Sequence, residues 1–229
     1  MDFSTRYSSH KILCMTDRNK GLTRKKTQAK DTNAGDDKHG RNGSLLEAFF
    51  TDQLKSIYYA EQQLLKAIPK MVLSSATEEL RNIFDGHFQQ TKKHVKRLDE
   101  VFKTIGEKAQ ETKCRAVDEL LREVETVIKK TNPESVTRDA ALIIAAQKLE
   151  HYEIATYGGL AQLALTMEWY HVGDILDKTL VEEEATDALL TEIAENHINI
   201  CARDEADYSW QKSSDQETVH QDLAINFSI

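Results

Sequence analysis

Gln147-Lys148-Leu149-Glu150-His151-Tyr152-Glu153 interrupts a stretch that is apolar on nearly every side. Ala140 to Ala146 precede it without a charge, and Ile154, Ala155, Tyr157, Leu160 and Leu163 follow it. That density of apolar positions predicts a long helix, roughly Val136 to Met167, buried most of the way round. Glu150 and Glu153, three positions apart, share one of its faces. An unpartnered carboxylate in such a place is costly enough to change its pKa instead, and two side by side call for a cation between them. The stretch therefore predicts an all-helical core with a charged interior. Gly158-Gly159, in the same helix, predicts a close approach or a slight bend.

Three further long helices can be read outward from it. Ser44-Leu45-Leu46-Glu47 is a capping-box pattern, in which serine and glutamate satisfy the free amides of a helix start. The helix it opens runs to about Leu73 on the stripe Leu46, Phe50, Leu54, Ile57, Glu61, Leu64, Ile68, Met71, with Glu61 where leucine is expected. Pro69 predicts a kink or a loosened last turn. Ser74 to Thr77 is short enough to fold the next helix back antiparallel. That second helix reaches Ile105 before Gly106, and its stripe is polar at mid-length: His87, Gln90 or Thr91, and His94. The last long helix, about His171 to Asn199, carries Glu183 and Asp187 where apolar residues are expected, while Glu182 and Glu184 are read as solvated.

Between the second and third long helices, a charged loop at Glu107 to Lys113 leads into a shorter amphipathic segment through Val117, Leu120, Leu121, Val124 and Ile128. Thr131-Asn132-Pro133 ends it. Such an element carries the chain across the bundle. The predicted fold is thus all-α: a ferritin-like up-down four-helix bundle with a short extra crossover helix between the second and third long helices.

The polar interruptions fall at matching heights. Glu61 is about 17 residues into its helix, Gln90 about 15 from the end of the antiparallel second, Glu150 about 14 into the third and Glu183 about 13 into the fourth, which at ~1.5 Å per residue places them in one layer. Buried carboxylates from several helices with histidine at hand make the oxygen-rich, anionic surroundings that suit Fe or Mn better than Zn. Each has a plainer reading, such as an edge glutamate paired with lysine or a hydrogen-bonded core histidine. His94 is read as structural, Tyr157 as packing, and Tyr58 and Tyr152 as hydrogen-bond donors to the carboxylates.

Composition bounds the rest. With 229 residues, two Pro, nine Gly and 40% hydrophobic content, the chain holds one good core and favours long helices. It has no apolar run near the ~18 residues of a membrane span and no signal-peptide core, so a cytoplasmic protein is expected. Three widely spaced cysteines, Cys14, Cys114 and Cys201, form neither a disulfide framework nor a thiolate zinc site. Residues 1–43 carry ten Lys/Arg against five Asp, leaving 20 basic and 33 acidic residues beyond them. This basic leader lacks interleaved aromatics, so it is read as a disordered tail and not as a nucleic-acid arm. His10, His39 and His220 lie in the tails. The domain expectation is a leader at 1–43, a bundle at 44–201 and a polar C-terminal tail at 202–229.

Several runs resemble a known family. These are Asp52-Gln53-Leu54, Tyr58 to Met71 (YYAEQQLLKAIPKM), Arg138 to Gly158 (RDAALIIAAQKLEHYEIATYG) and Thr179 to Asp187 (TLVEEEATD). They are similar to the YciE/YciF family of bacterial ferritin-like, stress-associated proteins, over roughly Leu45 to Ala202. The resemblance implies a ferritin-like bundle, a pair of metal positions, a dimer, and no well-defined activity. Glu61, Glu150, Glu153 and Glu183 match carboxylate positions of the family, His87 matches too, and Asp187 stands where a second ligand of the fourth helix would sit. The departure is Gln90, in His87-Phe88-Gln89-Gln90-Thr91, where the family generally reads Glu. A glutamine there removes a bridging carboxylate but still offers a carbonyl oxygen.

Two functions follow as expectations. One is a carboxylate-bridged Fe or Mn protein of stress protection, oxidising ferrous ion or disposing of peroxide; no catalytic residue is assigned. The other is a metal-free bundle serving as a structural or interaction protein.

Overall fold

Residues 44–205 are described by the computed structural model, and the expectations for the basic leader and for the chain beyond Glu205 lie outside them. Helix α1 (Leu45–Ser74) starts directly after Ser44, as the capping-box pattern predicts. Its buried stripe is Phe50, Leu54, Ile57, Ala60, Glu61, Leu64, Ile68 and Met71, spaced by three or four, and Glu61 alone is charged. The helix passes through Pro69 unbroken. The carbonyl that loses its donor belongs to half-buried Leu65, where solvent can replace the bond.

Three residues later α2 (Glu78–Thr104) begins on Thr77, whose side chain accepts from the Leu80 amide. It ends before Gly106, which takes the left-handed φ of 75° that glycine tolerates. Helix α3 (Arg115–Lys130) is the expected crossover element and lies against α1 and α4. Its apolar face turns inward at Val117 and Val124, and Tyr59 donates to Asp118 at 2.6 Å.

Helix α4 (Val136–Thr166) is the most thoroughly buried element. Its start is locked in place by two charged groups. The Arg138 guanidinium donates to Ile128 O and to the Thr131 hydroxyl, covering carbonyls at the end of α3. Asp139, fully buried, accepts from Ala76 N at 2.7 Å, Thr77 N at 2.8 Å and the Thr77 hydroxyl at 2.7 Å. The start of α4 therefore sits at the α1–α2 turn, so α4 runs antiparallel to α1, and α3 carries the chain back along the bundle.

At the other end of α4, Glu168 takes a left-handed φ of 61°, and the Trp169 amide donates back to Ala164 O at 2.8 Å, a Schellman-type stop. Trp169 packs edge-on against Phe50 with ring centroids 5.4 Å apart. Helix α5 (Tyr170–Ile193) then returns, passes into a π-helical turn at Ala194–Ile198 and continues as α-helix to Glu205. The Glu205 carboxylate accepts from Val136 N and Thr137 N, capping α4.

Helix α1 packs on α2 and α4, and α5 packs on α4 and α2, so each long helix has two antiparallel neighbours. The described residues form the predicted four-helix bundle with its crossover helix. None of their helices is long and apolar enough to cross a membrane. At the glycine pair, a Cβ at Gly158 would meet only Leu180 at 3.8 Å, and one at Gly159 nothing within 4 Å. No close approach requires either glycine.

Candidate metal centre

The core is apolar at both ends of the bundle and charged between them. Toward the α1–α2 turn lie Leu64, Ile68, Met71, Leu80, Phe84, Leu142 and Leu149; toward the far pole lie Phe50, Leu54, Leu98, Phe102, Leu160 and Leu176. Between them, Glu61, His87, His94, Glu150, Glu153 and Glu183 project inward from α1, α2, α4 and α5, each no more than 4% exposed.

These six groups form two overlapping sets. His87, Glu150, Glu153 and Glu183 each offer a ligand atom, all within 4.8 Å of one another, and so do Glu61, His94 and Glu183. Glu183 belongs to both. His87 Nε2 stands 3.3 Å from Glu150 Oε1, and its Nδ1 3.8 Å from Glu183 Oε2. His94 Nδ1 stands 3.0 Å from Glu183 Oε1 and 3.4 Å from Glu61 Oε1. The Tyr157 hydroxyl, fully buried, donates to Glu61 Oε1 at 2.5 Å.

Hydrogen bonding within the protein leaves this layer unfinished. Both oxygens of Glu153, both of Glu183, one each of Glu61 and Glu150, and both ring nitrogens of His87 have no hydrogen-bond partner. A buried unpaired polar atom is uncommon and costs about 1–3 kcal/mol, more when charged. Here they converge on one space.

The electrostatics register the same strain. Burial raises the Glu150 and Glu153 carboxyls well above the usual range, with the neighbouring carboxylates adding to it. Burial also raises Glu61, although His94 and Tyr157 pull it the other way. His87 is pushed down to about 4 by burial and is a neutral imidazole with a free lone pair at neutral pH. Burial would lower His94 as well, but the facing Glu183 and Glu61 carboxylates outweigh it and lift the ring to about 10. The donor chemistry fits a hard divalent metal: mostly carboxylate oxygen, two imidazoles, and a dry apolar surround.

Of the residues singled out from sequence, Glu61, His87, Glu150, Glu153 and Glu183 come together in this layer. Gln90 stands at its edge, half-buried, its carbonyl oxygen accepting from the Thr186 hydroxyl at 3.2 Å. Asp187 lies further along α5 with Oδ1 3.3 Å from Nδ1 of exposed His151, outside both sets.

Five residues differ from their sequence readings. His94, read as structural, reaches the centre because α2 brings histidines in from two heights seven residues apart, and both side chains bend toward the space between. Tyr157, read as packing, is the tyrosine that bonds a centre carboxylate, whereas Tyr58 donates to Asp99 and Tyr152 pairs with Cys114 Sγ. Glu182, read as solvated, is half-buried and lies 2.9 Å from His94 Nε2. Helix α5 has two neighbours, so positions 182 and 183 face α2 and the centre respectively. The spacing of His87 and His94, two full turns of one stripe, was the available signal for the second histidine.

An antiparallel four-helix bundle with a buried carboxylate and histidine layer fed by all four helices defines the class of this protein: a helical bundle with a polar centre able to hold metal. Residues 45–203 match the family described as Domain of unknown function (DUF892), and the chain belongs to that family. It is 40% identical to Protein YciF of Escherichia coli (strain K12) over 166 residues, which is 72% of this chain and 99% of that protein. Against the crystal structure of the E. coli stress protein YciF the TM-score is 0.65 at 39% identity, covering 69% of this chain and 99% of the other. YcfI of Rhodopseudomonas palustris, provisionally named a structural protein, aligns with a TM-score of 0.62 at 36% identity over 66% of this chain and 96% of its own.

Proposed function

We propose that the protein is a ferritin-like metal protein of stress protection that holds a pair of divalent cations, Fe or Mn, in its central layer. The observation that carries this reading is the convergence of unpartnered buried atoms from Glu61, His87, Glu150, Glu153 and Glu183 on one space. Charge counting supports a pair: the four carboxylates match the positive charge of two divalent ions, whereas one ion would leave buried negative charge uncompensated. Glu183, which belongs to both sets, would be shared between the two ions; His87, Glu150 and Glu153 would hold one of them, and His94 and Glu61 the other. A redox-active pair there would supply ferrous-ion oxidation or peroxide disposal. The chain's own groups hold the ligands, exclude water through the apolar walls, and orient Glu61 through Tyr157.

The similarity to the E. coli stress protein supports the stress setting. A dimer belongs to the same reading, on the family resemblance.

The second reading, a metal-free structural or interaction bundle, draws on Gln90 and on the provisional name of the Rhodopseudomonas relative. In that case the layer persists with Glu150 and Glu153 protonated. Elemental analysis of protein purified without added metal separates the two: close to two Fe or Mn per chain is expected. A preparation that carries no transition metal and takes up none from excess Fe(II) or Mn(II) would overturn the metal reading.

A further inference from the structure

The two histidines of the centre are held differently. Both ring nitrogens of His87 face the interior and neither has a hydrogen-bond partner. His94 points Nδ1 at Glu183 and Glu61, while its Nε2 stands 2.9 Å from Glu182 Oε2. Glu182 is in turn fixed from outside. Arg97 donates Nη1 to Oε2 at 2.9 Å and Nη2 to Oε1 at 2.7 Å, and Nη1 also reaches the Thr179 hydroxyl at 3.2 Å. A forked guanidinium on a carboxylate fixes its plane as well as its position.

We infer that Glu182 is the positioning residue of His94: held by the Arg97 fork, its carboxylate accepts a hydrogen bond from Nε2–H, so that with metal in the centre Nδ1 would present its lone pair beside Glu61 and Glu183. This inference rests on the metal-centre reading above and goes beyond it, because it makes the two halves of the centre inequivalent. A carboxylate behind an imidazole selects the tautomer and strengthens the ring as a donor, and loss of such a partner weakens metal binding by ~10–100-fold. The carboxylates nearest His87 are Glu150 and Glu183 of the centre itself, with no arginine-held carboxylate behind the ring, so that loss falls on one site only.

The test uses the full chain labelled with 15N and loaded with zinc, a diamagnetic stand-in for the divalent metal. In wild type, long-range proton–nitrogen spectra should place the His94 proton on Nε2 and the metal on Nδ1. Glu182→Ala should weaken zinc at the His94 site by ~10–100-fold in chelator competition while the His87 signals keep their wild-type titration. Glu182→Gln, whose carbonyl still accepts the Nε2 proton, should recover most of that loss. Arg97→Ala breaks the same tie between α2 and α5 but leaves Glu182 on His94, so it should lower the melting temperature of the metal-free protein as Glu182→Ala does, with only a fraction of the affinity loss. Equal affinity losses in the two alanine variants, zinc on Nε2 of His94, or an unchanged Glu182→Ala would each overturn the inference and leave the metal centre standing. A wild type that takes up no zinc at either histidine would overturn both.

Discussion

Gln90 is where a single side chain weighs most on function. Its carbonyl oxygen is occupied by Thr186 at the edge of a layer already holding four carboxylates. With metal bound, Gln90→Glu should raise the melting temperature, since it adds negative charge beside two cations in a poorly solvated space. With chelator present, the same change should lower it by adding one more carboxylate without a partner. A variant less stable in both conditions, with neither protein responding to Fe(II) or Mn(II), would remove the metal reading. His94 gives a pH prediction for the metal-free form. Its ring is raised from the ordinary 6.5 to about 10, so the folded chain keeps a proton that the unfolded chain releases. The stabilisation is present below about 6.5 and is lost as pH rises toward about 10. Chelated protein should therefore melt at a lower temperature at pH 9 than at pH 7, and a rise would contradict the assigned ionisation. Residues of this kind were only partly legible in the sequence. Glu61, Glu150 and Glu183 stood out because a carboxylate on an apolar stripe breaks a strong pattern. His94, Glu182 and Tyr157 did not, since histidine and tyrosine suit a plain core and the facing of Glu182 depends on which neighbour α5 meets.

At the level of the helix, periodicity and caps were nearly sufficient. Helix α4 starts at the expected Val136, where Ser135 accepts from the Arg138 amide, and α2 ends within a residue of the expected Ile105, before Gly106. Features that depend on packing partners escaped. The turn between Met167 and His171 lies where it was expected, but no glycine marked the left-handed φ of Glu168, and nothing local announced the π-helical turn. The Gly158-Gly159 pair carried the opposite fault, a strong local signal with no tertiary cause. Gly159 is exposed in the middle of α4 with nothing near its missing Cβ. Gly159→Ala should therefore stabilise the protein by about 0.5–1 kcal/mol, through helix propensity and a less free unfolded chain. Chemical denaturation would check it, and a loss of stability would mean that the glycine serves a contact absent from the isolated chain.

Taken whole, the bundle is closed by its ends and left unsatisfied at its middle. Asp139, Arg138 and Glu205 gather the α1–α2 turn, the end of α3, the start of α4 and the end of the last helix at one pole. Candidate ligands drawn from all four long helices would tie metal binding to global folding and not to one hairpin. Metal at 100 times its dissociation constant should add about 2.7 kcal/mol to the unfolding free energy. Hydrogen exchange should slow in α1, α2, α4 and α5 together, and protection confined to α4 and α5 would place the ion outside the shared layer. The turn at Ala194–Ile198 bears on how the chain tolerates changes in length. It holds one residue more than an α-helical turn would, and beyond it the helix delivers Glu205 to the free amides of Val136 and Thr137. Because the extra residue is taken up within the turn, deleting a single residue there would restore regular winding and leave the facing of everything downstream close to what it is, whereas the same deletion in regular helix would swing it by about 100°. A one-residue gap in this turn should therefore keep the cap on α4, while the same gap one turn earlier in α5 would turn it away.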